Sequence, residues 1–79
     1  FIFSSRLEID YLNAKYNLDF KLNSSYETLS GFILYHHESI PKTNDLVLID
    51  NYIIKILKSD QNKIHKVKIT KQNKIFKIP

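Results

Sequence analysis

The hydrophobic period of this chain changes twice. Phe1-Ile2-Phe3-Ser4 alternates weakly and predicts a first strand, with Ser4-Ser5 turning the chain. From Ile9-Asp10 the spacing becomes helical. Leu12 and Tyr16 are four apart and share a face. Asp10 is the expected N-cap of this short helix, and Asn17 is its expected left-handed stop. Leu18 to Ser25 has no helical period and contains Asn23-Ser24-Ser25, so it reads as a loop. A second helix is predicted from Thr28 to about His37, with Glu27 and Thr28 both able to cap its donors. Leu29, Phe32, Ile33 and His36 form its stripe. Leu34 and Tyr35 lie off that stripe, so this helix is apolar on more than one side and is expected to contact two things. Ile40-Pro41 is the expected stop, because proline disfavours the helical conformation of the residue before it.

The final third returns to strand periods. Leu46-Val47-Leu48-Ile49 is one strand, and Asp50-Asn51 is a two-residue turn of a kind that tolerates positive φ. Tyr52 to Lys58 is apolar on both faces and therefore central. Ser59 to Asn62 turns the chain again. His65 to Thr70 alternates with Val67 and Ile69 inward, which leaves Lys66 and Lys68 on a face with Ile64 and Thr70. The segment 71–79 carries no turn signal and reads as a C-terminal tail, either an extra edge segment or a free end. The predicted architecture is α+β: a strand, two short helices, then an antiparallel meander of about three strands.

Length and composition narrow this picture. At 79 residues the chain is one domain near the lower size limit for an independent core, and such domains often draw stability from a partner or a second copy. It has no cysteine, which excludes a disulfide framework and thiolate metal sites. No apolar run exceeds the length of Phe32 to Tyr35, far below the roughly 18–20 residues that cross a bilayer. The chain opens in mid-strand without methionine, which predicts a piece of a longer protein. Charge is divided unevenly. Residues 1–50 hold four basic residues against seven acids, a net of −3, whereas 51–79 hold eight lysines against Asp60, a net of +7. A basic half of this kind can signal nucleic acid or an anionic membrane. The plainer reading is lysine decorating solvated strand faces. No nucleic acid is expected, because stacking recognition needs rings on the lysine face and Lys66 and Lys68 have none.

Catalytic and metal chemistry find little support. Ser30 beside Gly31 lacks the flanking glycines of a nucleophile elbow. A single glycine cannot build a phosphate-cradling loop. Glu8 and Asp10 are explained by capping and solvation. His36 and His37 are helical neighbours pointing about 100° apart, so they do not converge on one ion, and His65 lies in a distant strand. The chain is read as no enzyme, with no metal and no expected cofactor.

What does stand out is an ordered set of short motifs. Gly31 is the sole glycine, set inside a helix where it costs about 1 kcal/mol relative to alanine, which predicts close approach of another surface. Around it run Arg6-Leu7, Leu12-Asn13, Tyr26-Glu27-Thr28-Leu29-Ser30-Gly31, Ile40-Pro41-Lys42 and an aspartate-led meander from Asp45 to Thr70. In this order and spacing the set resembles the transporter-associated (CorC/HlyC) domain over residues 2–70. The likeness extends to a gliding-motility branch of that family around Tyr26 to Lys42. The resemblance implies a C-terminal, cytoplasmic-side module of inner-membrane proteins that follows a membrane region and a pair of CBS domains. It also implies an association with magnesium and cobalt efflux or hemolysin-like proteins, and a fold like half of an FAD-binding domain. On that basis the implied role is regulatory or assembly contact, through the second helix and the meander, with the CBS domains, the membrane region or a second copy. A small-molecule sensor of adenine nucleotides or flavins stays open beside it. The motif and contact residues implied are Arg6, Leu12, Asn13, Tyr26, Thr28, Leu29, Gly31, Ile40 and Pro41. The family pattern has glycines near Ser5, Glu38 and Asn44, where this chain has none.

Overall fold

The computed structural model describes residues 1–72. Its elements are β1 (Ile2–Ser4), α1 (Ile9–Tyr16), α2 (Leu29–His37), β2 (Leu46–Ile49), β3 (Tyr52–Ser59) and β4 (Ile64–Lys71). The strands form one antiparallel sheet in the order β1-β4-β3-β2. β3 is interior, as its apolar run predicts, and β1 joins the meander by pairing with β4. Of the predicted tail, Lys71 closes β4 and residues 73–79 lie outside the described residues.

One face of the sheet carries the core. Val47, Ile49, Tyr52, Ile54, Ile56, Ile64, Val67 and Ile69 are all buried there, and Leu12, Leu29, Phe32 and Ile33 of the helices close over them. Phe20 of the intervening loop enters this core. Its ring centroid lies 4.7 Å from Phe32 and 4.6 Å from Tyr52, distances at which aromatic pairs attract beyond simple burial.

Two sequence expectations about helix ends are corrected. Asp10 is not the N-cap of α1: Glu8 holds that position without a side-chain cap, and Asp10 Oδ1 accepts from the N–H of Tyr11 at 2.7 Å. Backbone does the capping instead. The Ile9 N–H donates to the Glu27 carbonyl at 2.8 Å, and the Leu29 N–H donates to the Leu7 carbonyl at 2.8 Å. The two helix starts thus satisfy one another's orphan donors across a short antiparallel contact, Glu8 opposite Thr28. The second correction concerns Pro41. α2 ends at His37, where the sequence places it, but the stop is Glu38 and not Ile40-Pro41: Glu38 has a left-handed φ of 70° and its N–H donates to the Leu34 carbonyl at 2.9 Å.

The other terminators are as the sequence predicts. Asn17 ends α1 at φ 56°, and Asp50 supplies the positive φ of the β2–β3 turn. Asn44, at φ 77°, takes the left-handed place for which the family pattern has a glycine. Ser5 is different. It is buried, and its hydroxyl donates to the Ile64 carbonyl at 2.5 Å, so here a side chain is used where the pattern has none.

Pairing between β3 and β4 slips around Leu57 and again around His65, so Ile56 faces Val67, Lys58 faces Lys66 and Ser59 faces Ile64. The slip turns Ile64 into the core. This corrects its predicted place beside Lys66 and Lys68, because a bulge moves every residue beyond it to the opposite face.

Candidate functional site

The motif residues are mostly consumed by the fold. Leu12 and Leu29 are fully buried, Pro41 is buried, and Ile40 packs half-buried against the core. Asn13 fastens the loop after α1. Its Oδ1 accepts from the Phe20 N–H at 3.0 Å and its Nδ2 donates to the Phe20 carbonyl at 2.8 Å. That pair of bonds holds Phe20 where its ring enters the core. Tyr52 supports the same loop from β3: its hydroxyl donates to the Asp19 carboxylate and accepts from the Asp19 N–H at 3.0 Å. Burial, followed by the hydrogen bond to Asp19, raises the Tyr52 phenol above its ordinary pKa.

Thr28 is the N-cap of α2, with Oγ1 accepting from the Gly31 N–H at 3.1 Å. Gly31 is needed for space. A Cβ there would stand 3.1 Å from the Cβ of Tyr26, so the close surface predicted from the sequence belongs to this chain itself. Tyr26 is held in turn by its hydroxyl, which donates to the Lys21 carbonyl at 2.5 Å, and burial raises its pKa. Arg6 is the exposed member of the set. It stands with Ser30, Lys63 and His65 around a shallow cleft beside the start of α2.

What remains exposed on α2 is aromatic. Tyr35 and His36 lie outward, although the sequence stripe placed His36 with the core. Their rings are not loose. Tyr35 sits 5.3 Å from the ring of Tyr26, and His36 sits 4.9 Å from Phe32 and 5.3 Å from Tyr35. The exposed pair therefore rests on a buried aromatic platform that Gly31 lets close up.

Two of the histidines have polar partners of their own. His37 Nδ1 lies 2.9 Å from the Ser39 carbonyl oxygen, and His65 Nε2 lies 2.8 Å from Asp60 Oδ2. Among the described residues no three His, Asp or Glu side chains converge as ligands, and no helix is long and apolar enough to cross a membrane. Asp60 is pushed down to about 2, first by its bond to His65 and then by the N–H groups of Asn62 and Lys63.

Residues 1–73 match the transporter-associated domain known as CorC/HlyC. The chain belongs to that family. No curated protein matches it in sequence. Among solved structures, it is similar to a functionally unknown conserved protein from Haemophilus influenzae, at 30% identity and a TM-score of 0.80, covering 89% of this chain and 85% of that one. A CorC/HlyC domain from Haemophilus ducreyi is 26% identical with a TM-score of 0.72, covering 92% and 88%. The transporter-associated domain of a CBS domain protein from Porphyromonas gingivalis shares the fold at 18% identity and a TM-score of 0.73, covering 91% and 87%. This chain carries the α+β fold of the transporter-associated domain over nearly its full length.

Proposed function

We propose that this domain is a non-catalytic regulatory or assembly module of a CorC-type membrane protein associated with divalent-cation transport. It docks on the CBS pair of its parent through the exposed side of α2. The observation that carries this reading is the Tyr35–His36 pair, with Tyr35 52% exposed on a platform of Tyr26 and Phe32. Rigid, partly exposed aromatics anchored on a packed base are what protein interfaces use as energetic centres. The motif residues of the family support that platform: Thr28 fixes the start of α2, Gly31 admits Tyr26, and Leu29 seats the helix on the sheet. The module biases a conformational equilibrium of its parent by contact, and the reading requires no bond-making chemistry and no cofactor.

The test is co-purification of the 79-residue chain with the parent's CBS pair, beside sedimentation of the chain alone. Retention by the CBS pair supports the docking. A strictly monomeric chain that ignores the CBS pair contradicts it.

A further inference from the structure

Among the described residues nothing covers the sheet face opposite the helices. The register sets its outward side chains in cross-strand rows. Lys68 of β4 stands between Ile2 of β1 and Lys55 of β3, and Lys55 in turn faces Leu46 of β2. In the next row Lys66 lies between Ser4 and Lys58, and on the other side Thr70 and Ile53 lead to Leu48. All four lysines are exposed. They form two directly opposed like-charge pairs, Lys55 with Lys68 and Lys58 with Lys66, an arrangement that disfavours strand pairing unless something else neutralises it. No strand position on this face carries a carboxylate, and among the described residues none of the four is ion-paired. The margins are apolar: Ile2 is 61% exposed on one edge strand, with Leu46 at 61% and Leu48 at 69% on the other.

From this we infer that the open sheet face is a membrane-surface contact for anionic lipid headgroups, with the lysine square over the phosphates and the flanking Leu46, Leu48 and Ile2 at the acyl boundary. Three features favour lipid. Every cation is lysine, a compact hydrated charge that suits a diffuse anionic surface, whereas carboxylate partners at protein interfaces are better met by the planar fork of arginine. Its outward residues share one side of a single sheet, a broad surface and not a point site. Exposed leucines at the rim have no use against a phosphodiester backbone, and among the described residues no phenylalanine or tyrosine ring stands on this face for bases to stack on. The contact goes beyond the docking of α2 and does not rest on it, since α2 packs on the other side of the sheet.

Co-sedimentation of the 79-residue chain with phosphatidylcholine vesicles, with and without phosphatidylglycerol, tests this at low and high salt. Binding is expected only with phosphatidylglycerol, and it weakens as salt rises. The double variant K55S/K68S loses roughly fivefold per lysine, about 25-fold in all. Leu48→Ser also weakens binding, while K21S/K42S, which removes the same charge from loops off this face, leaves it within about twofold. Far-ultraviolet circular dichroism checks that each variant is folded. Equal loss in K21S/K42S would reduce the effect to net charge and overturn the proposal. So would absence of vesicle binding, and retention on polyglutamate or single-stranded DNA in its place would assign the face to an acidic protein or to nucleic acid.

Discussion

The Cα of Gly31 faces the Cβ of Tyr26 so closely that an added methyl would sit 3.1 Å away, with Thr28 Oγ1 at 3.5 Å. Both neighbours are fixed near the backbone, so neither can swing aside cheaply. The N-cap of α2, its one glycine and the tyrosine beneath it form a single packed unit.

Gly31→Ala is therefore expected to destabilise the domain by about 1 kcal/mol. Alanine gains up to about 1 kcal/mol of helix propensity, but overpacking costs about 1–3 kcal/mol. Urea unfolding checks this, through a lower midpoint at unchanged slope. A raised midpoint would mean that Tyr26 yields without cost.

Asn13→Ala removes both side-chain bonds to the Phe20 backbone and leaves that N–H and carbonyl without their partner. A loss of about 1–3 kcal/mol is expected, with faster amide exchange at Phe20 than at the core strands.

Glu38→Gly is expected to stabilise the domain by roughly 0.5–1 kcal/mol. Glu38 is a non-glycine residue in the left-handed region, and its negative charge sits at the negative end of α2. Thermal unfolding provides the measurement.

The pH dependence separates two groups. Tyr26 and Tyr52 are raised in the folded state, so their contribution is full below about 10 and is lost as pH climbs through their folded values. Tyr52→Phe should flatten part of that alkaline loss. Asp60 is lowered, to about 2, so its contribution is present above the ordinary carboxylate pKa and disappears as pH falls through about 2. His65→Ala removes the largest cause, and an NMR titration should find Asp60 moved back toward about 3.9.

Local chemistry made much of the fold legible in the sequence. Asn17, Thr28 and Asp50 act where their side chains and φ tolerance place them, and the apolar run from Tyr52 foretells an interior strand. Non-local backbone bonds left no such mark. The mutual capping of the two helix starts involves carbonyls of Leu7 and Glu27, whose side chains carry no signal for it. The bulges at Leu57 and His65 break the period of two without a glycine to announce them, which hid the burial of Ile64. Glu38 stops a helix from a residue type that rarely does so. As for the candidate site, the two-sidedness of α2 was visible in Leu34 and Tyr35. The tilted packing of Tyr35 against Tyr26 depends on a loop of irregular path and was not.

The proposed docking surface is the exposed aromatic side of α2, and amide shift mapping on the 79-residue chain, titrated with the CBS pair of its parent, reads it residue by residue. The largest shifts are expected at Leu34, Tyr35, His36 and His37, carried to Tyr26 by ring contact, and they should vanish in Tyr35→Ser. Saturating CBS pair with no shifts on α2, or with shifts confined elsewhere, would contradict the claim.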